Sequence, residues 1–190
     1  MYILLFAILF LQIFLMLFIA LFGIVMIYFM LSSRFMYDAP PIPSSGKVKN
    51  AMIADVAEVL SKRENQVIMD LGSGWGTLLI PLAKKFPNHQ FIGIEHNFLP
   101  YLISKFRARK LKNILFYRQD LLDTDVSRVD ILLVFLLPRM MNKVSVKFQA
   151  EAKAGALVYV NRFQMLDMKA EKEVSFGSRF KTYYVYKKLA

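Results

Sequence analysis

Cysteine is absent from the 190 residues, which excludes disulfides, thiol nucleophiles and thiolate metal sites without identifying a compartment. Histidine is scarce. His89 and His96 are the two imidazoles, too few for a histidine-rich metal centre, and no metal site is expected. Acidic residues are outnumbered, 14 against 25 Lys and Arg, for a formal charge of +11. That balance favours anionic surroundings, nucleic acid or anionic lipid headgroups, and says nothing about fold. Charge of either sign is missing before Arg34, and Gln12 is the one strongly polar side chain between Met1 and Leu31.

What fills this amino-terminal stretch is aliphatic and aromatic. An apolar run of about 18 or more residues reads as a membrane span, and about 20 helical residues cross the hydrocarbon core. This run exceeds that length, so tilt or projection past the core is expected. A cleaved signal peptide would need a basic start, a shorter apolar core and a small-x-small site, none of which is seen. The reading is therefore a single-pass, uncleaved transmembrane anchor over residues 1–33, with the bilayer as partner. Arg34, Lys47 and Lys49 follow it, and the positive-inside rule then places the remainder in the cytoplasm.

Residues 34–46 form a proline-rich linker, with Tyr37 to Gly46 reading "YDAPPIPSSG". Its prolines block helix continuation and favour extended backbone. Residues 47–190 form the folded domain. Lys47–Arg63 carries apolar residues near helical spacing. Strand and helix patterns then alternate: strands over Val67–Asp70, Phe91–Glu95, Ile114–Arg118, Val129–Leu137 and Ala156–Asn161, helices over Thr77–Phe86, Leu99–Leu111 and Met140–Ala152. Val174–Phe176 and Phe180–Tyr186 can close as an antiparallel pair around Gly177 and Ser178. This alternation predicts an α/β fold, a mostly parallel sheet with helices on both faces.

The stretch Asp70 to Gly76, "DLGSGWG", follows the first of these strands. A dinucleotide fingerprint needs G-x-G-x-x-G. Here Gly76 comes one residue early and Thr77 stands in the reserved place. An acidic residue opening the loop would repel a pyrophosphate, yet it can accept hydrogen bonds from an ammonium group or a ribose. In an open α/β sheet ligands bind beyond the carboxyl ends of strands. There the sequence puts Asp70, Glu95 and Asp120. Asp70 with Gly72, Gly74 and Gly76 suits an amino-acid moiety, because glycine permits close backbone approach. Glu95 suits a ribose diol, and Asp120 an adenine amino group. Ammonium, diol and adenine together describe S-adenosylmethionine. Helix capping or plain solvation is the competing reading for Asp120, Asn97 reads as a helix cap, and Trp75 suits either a cover over the cleft or packing on the sheet.

On these residues the chain resembles the class I S-adenosylmethionine-dependent methyltransferases. More narrowly, it is similar to the membrane-anchored protein-lysine methyltransferases that modify the adenine nucleotide translocase and the ATP synthase c subunit, and to their prokaryotic relatives. Ala39 to Ser44, Asp70 to Gly76, "EHNFLPYLISKFRAR" from Glu95, "RQDLLDTDVS" from Arg118 and "VFLLPRMM" from Val134 carry the likeness. The resemblance implies a Rossmann-like methyltransferase domain over residues 47–190, with Asp70, Gly72, Gly74, Gly76, Glu95 and Asp120 binding the cofactor. It also implies that Leu137, Pro138 and Arg139 line the approach of the substrate. Trp75, Thr77, Pro41 and Leu122 depart from that family's pattern.

The function this implies is methylation of a protein lysine at the membrane. Small-molecule or lipid-amine methylation is the rival enzyme class, and a cofactor-binding membrane module without turnover is the non-enzymatic one. RNA methylation fits the basic charge but not the anchor, so a nucleic-acid partner is not expected. No His–carboxylate pair offers a dedicated base, His96 reads as a surface or packing residue, and no catalytic residue is assigned.

Overall fold

The computed structural model describes residues 2–36, 46–165, 167–178 and 181–189. Two compact units divide the chain, Met1–Ile42 and Pro43–Ala190. The first holds α1, Tyr2–Met36, an unbroken helix of 35 residues. Its 27-residue stretch Tyr2–Tyr28 is the one helix among the described residues long and apolar enough to cross a membrane. At about 1.5 Å per residue that stretch is roughly 40 Å long, against a hydrocarbon core of about 30 Å. Most of the expected linker, residues 37–45, lies outside the described residues.

The second unit begins with α2, Gly46–Ser61, whose Val48, Met52, Val56 and Leu60 recur every fourth residue and are buried. That spacing lays one apolar stripe along the helix. There follow β1 (Val67–Leu71), α3 (Leu79–Lys85), β2 (Gln90–Ile94), α4 (Phe98–Ala108), β3 (Ile114–Tyr117) and β4 (Ile131–Val134). After them come α5 (Pro138–Glu151), β5 (Leu157–Asn161), β6 (Lys172–Ser175) and β7 (Thr182–Lys187). The seven strands form one sheet in the order β3-β2-β1-β4-β5-β7-β6. Strands β1 to β5 run parallel, and β7 is antiparallel to both β5 and β6.

Side-chain alternation divides the core. Ile131 and Leu133 join α2 and α3 in one cluster with Ile68, Phe91 and Tyr159. Their neighbours Leu132 and Val134, buried equally well, take the other face of the sheet, where helix α5 buries Met140, Met141, Val144 and Phe148. Asp55 clasps the closing hairpin to α2. Its Oδ2 accepts the Tyr183 hydroxyl at 2.8 Å, and its Oδ1 pairs with Lys172 Nζ at 2.5 Å. Burial, then this bond to Asp55, pushes the Tyr183 hydroxyl above the usual tyrosine range.

Several elements are shorter than the sequence pattern predicts, α4 ending at Ala108 and β3 at Tyr117; β4 and α3 show why. Strand β4 ends at Val134 rather than Leu137, because ladder pairing with β1 and β5 stops there. Pro138, with fixed φ and no N–H, then opens α5 with Leu137 at the N-cap. Helix α3 starts at Leu79 rather than Thr77, since the positive φ of Gly76 keeps the chain turning.

Candidate active site

Strand β1 lies between β2 and β4, so the order of strand addition reverses there. That is the switch point beyond which ligands bind in an open α/β sheet. The register makes the three strands end level: Leu71 pairs with Ile94 on one side and Val134 on the other. Three connections therefore open onto one place, residues 72–78, 95–97 and 135–137. Asp70, Gly72, Gly74, Gly76 and Glu95 are brought together here. Asp120 stands in the loop after β3, further along the same edge.

The glycine loop is built on positive backbone angles, φ +83° at Gly72, +52° at Gly74 and +71° at Gly76. L-residues with a side chain reach that region only at a cost. Each glycine also meets different surroundings. A Cβ at Gly76 would lie 2.8 Å from Ile80 Cδ1, and one at Gly72 would lie 3.1 Å from Leu136 Cδ2, whereas one at Gly74 would meet nothing within 4 Å. The loop is thus packed at both ends and open at its middle. It is held down by the N–H groups of Gly72 and Ser73, both 2.9 Å from the Ile94 carbonyl. Arg107 of α4 adds a charge-assisted bond, donating to the Trp75 carbonyl at 2.6 Å. Trp75 itself is half-buried.

Glu95 is buried at the end of β2 and ties two connections together. Its Oε2 accepts the Gly74 N–H and its Oε1 the Asn97 N–H, both at 2.8 Å. A carboxylate oxygen has two lone pairs, so each retains one for a further donor such as a hydroxyl. Asp70 is 3% exposed. Burial first, and the neighbouring Glu95 charge second, push its carboxyl up to about 7. Two buried carboxylates side by side favour a cationic or multiply donating ligand.

Other residues in this region take roles that their local sequence does not announce. Asn97 occupies the N-cap of α4, as expected, but makes no capping bond. The third helical position is Pro100, which has no N–H to donate. Instead Asn97 Oδ1 is buried without a partner, as is Ser73 Oγ. Asp120 closes its own loop, its Oδ1 accepting the Leu122 N–H at 2.8 Å. Leu137 is half-buried, and Pro138 and Arg139 are exposed. Leu136, unremarked in the sequence, makes the close approach to the glycine loop. Gly93 was also missed. A Cβ there would sit 2.3 Å from Phe116 Cδ1 and 2.9 Å from Ser73 Oγ. A glycine inside a strand pattern is the signal for such an approach.

The two histidines separate cleanly. His89 is buried, and its Nδ1 accepts the Gln66 N–H at 3.0 Å, a packing role away from the loop. His96 is half-buried beside Glu95. Among the described residues no cluster of three potential metal ligands occurs.

Comparison with known proteins decides the family. The model of the ANTKMT methyltransferase domain matches residues 70–172, more than half of the chain and all of the strand ends just described. The chain belongs to this family. It is an S-adenosylmethionine-dependent methyltransferase. A curated relative, a protein-lysine N-methyltransferase of Saccharolobus islandicus (strain REY15A), is 25% identical over 154 residues, covering 77% of this chain and 92% of its own length. Among solved structures, an RNA methyltransferase from Salinibacter ruber in complex with S-adenosyl-L-homocysteine superposes with a TM-score of 0.68 at 22% identity. It covers 78% of this chain and 94% of that one. A precorrin-6y C5,15-methyltransferase from Geobacter metallireducens GS-15 reaches a TM-score of 0.56 at 16% identity, over 79% and 95%. At such identities these two establish the fold alone. The site suits the methyltransferase's cofactor: a phosphate-free ligand avoids repulsion from Asp70 and Glu95, and the open middle of the loop leaves space for it.

Proposed function

We propose that this methyltransferase modifies lysine of a protein at a membrane surface, on the cytoplasmic side. The observation that carries the lysine reading is the likeness to the Saccharolobus islandicus enzyme, which spans nearly the whole of that protein. The membrane reading rests on the apolar helix Tyr2–Tyr28. The cytoplasmic side rests on the basic residues that follow the apolar stretch, Arg34, Lys47 and Lys49.

The cofactor supplies a methyl group on sulfonium, with a neutral thioether as the leaving group. The chain's task is then to bind, orient and exclude water. Glu95, with a lone pair left on each oxygen, takes the ribose hydroxyls. Asp70 and the open backbone at Gly74 take the amino-acid end, Gly72 and Gly76 set the turn, and Asp120 serves the adenine side. Leu137, Pro138 and Arg139, at the end of the adjacent strand, line the amine's approach.

A lysine with pKa near 10.4 is only about one part in 2,500 neutral at pH 7. Alignment and desolvation of the amine therefore supply the acceleration, in place of a dedicated base. The deciding experiment incubates the full-length protein with methyl-labelled S-adenosylmethionine and membrane fractions. Label recovered as methyl-lysine in protein supports the reading; label in lipid or RNA, or none, refutes it.

A further inference from the structure

Outside α1, seven large apolar side chains are exposed among the described residues, and five of them fall between Phe98 and Tyr117. Helix α4 is responsible for most of this, because three of its large apolar residues point away from the core. It buries Pro100, Ser104 and Ala108 and displays Phe98, Leu102 and Phe106. At about 100° per residue these three form one stripe, with Lys105 and Arg109 in the same arc. Small residues inside let the helix approach the sheet closely, but nothing within the fold uses the stripe. Leu115 and Tyr117 of the edge strand β3 are exposed too, but they alternate with Ile114 and Phe116, which share the cluster of Ala108, and so belong to the opposite face of the sheet.

Cations cover the apolar groups. The Arg109 guanidinium lies 4.0 Å from the Phe106 ring centroid, and that of Arg118, just past β3, lies 5.4 Å from the Phe98 ring. The second contact joins the strand's end to the helix's start. From Phe98 to Arg118 there are six basic residues and no acidic one. Aromatic and aliphatic groups interleaved with long cationic side chains match a headgroup region, where the rings enter the boundary and the cations reach phosphates. A contiguous exposed apolar surface of this kind calls for a partner.

We infer that the exposed stripe of α4, with the cations around it, docks on an anionic lipid bilayer. The inference deepens the membrane-surface reading above and rests on it. Docking here would hold the glycine loop at a set height above the bilayer, since Arg107 ties α4 to that loop.

The test uses the full-length chain, whose lack of cysteine allows single labels at Leu102→Cys or at Val146→Cys. Both positions are exposed, at 46% and 68%. An environment-sensitive fluorophore is placed at each, and the protein is reconstituted into phosphatidylcholine vesicles with or without phosphatidylglycerol, carrying a headgroup nitroxide quencher. The label at 102 should shift and quench only with phosphatidylglycerol, reversibly with salt, while the label at 146 stays aqueous. Lys105→Gln with Arg109→Gln should lower the docked-to-undocked ratio roughly 25-fold, about fivefold per cation. Phe98→Ser with Phe106→Ser should abolish docking without changing the circular dichroism spectrum or the melting temperature. An aqueous label at 102, equal quenching at 146, or quenching between protein copies instead of by lipid would overturn the inference. Vesicle flotation distinguishes the two readings. Protein that floats with position 102 aqueous loses this face and keeps its anchor; flotation only with phosphatidylglycerol keeps the face and loses the anchor; none loses both. No turnover is needed, so the result is independent of which substrate is methylated.

Discussion

Replacing Asp70 by asparagine should stabilise the cofactor-free protein above pH 7 while weakening its hold on S-adenosylmethionine. Burial and the adjacent Glu95 raise this carboxyl from 3.8 to about 7. Each pKa unit is about 1.36 kcal/mol, so ionising Asp70 in the fold costs about 4 kcal/mol. The asparagine amide carries its own desolvation cost of about 1–3 kcal/mol, leaving a net gain of about 1–3 kcal/mol. The sign follows from linkage. The folded pKa lies above the unfolded one, so the native state binds the proton more tightly. The penalty is absent well below pH 3.8, grows as pH rises to about 7, and is constant above that. Thermal melts of the full-length protein in detergent should therefore put the variant roughly 3–10 °C above wild type at about pH 8, and a few degrees below it at about pH 4, where the amide's cost stands almost alone. Calorimetry should show the opposite for the ligand: affinity 5- to 150-fold lower, about 1–3 kcal/mol. Near neutral pH, wild-type binding should release a proton, read from the buffer dependence of the binding enthalpy, and the variant's should not. An equal shift at both pH values, or a variant less stable at about pH 8, would refute this account of Asp70.

Glu95→Ala should lower cofactor affinity by about 1–3 kcal/mol, measured by the same calorimetry, since it frees the Gly74 and Asn97 N–H groups as well as removing the diol's acceptor. Gly93→Ala should destabilise the domain by about 1–3 kcal/mol through overpacking against Phe116, seen as a lower melting temperature with or without ligand. The maximal rate should climb well beyond about pH 8 with substrate lysine deprotonation, and His96→Ala should keep most activity. A profile that levels near about pH 6.5 and vanishes in His96→Ala would reveal a histidine general base. Leu189→Cys, at an exposed position, should resist an impermeant thiol reagent in intact cells, and labelling there would refute the cytoplasmic placement.

Much of the architecture is readable from the residue pattern alone. The switch between apolar runs and helical periodicity orders the elements from α2 to β7, because each must bury one face or both. The acidic glycine loop, with Glu95 at the next strand's end, narrows the ligand to one without phosphates, since carboxylates repel them. These are local properties, set by residues near one another in the chain. What tertiary structure alone decided concerns residues far apart. Asp70 and Glu95 become neighbours because β1 pairs in register with β2, Asp70 beside Gly93, and no spacing rule predicts the resulting rise in the Asp70 pKa. Glu95 reaches back to the Gly74 N–H across 21 positions of sequence, so it holds the loop as well as facing the ligand. Helix α4 is the sharpest case. Its residues Phe98, Leu102 and Phe106 form a stripe that periodicity alone would turn inward, yet the side against the sheet is taken by Pro100, Ser104 and Ala108, with Tyr101 partly buried against the core. Which face of a helix is buried is settled by the volume its neighbours leave, and that volume exists only once the chain has folded.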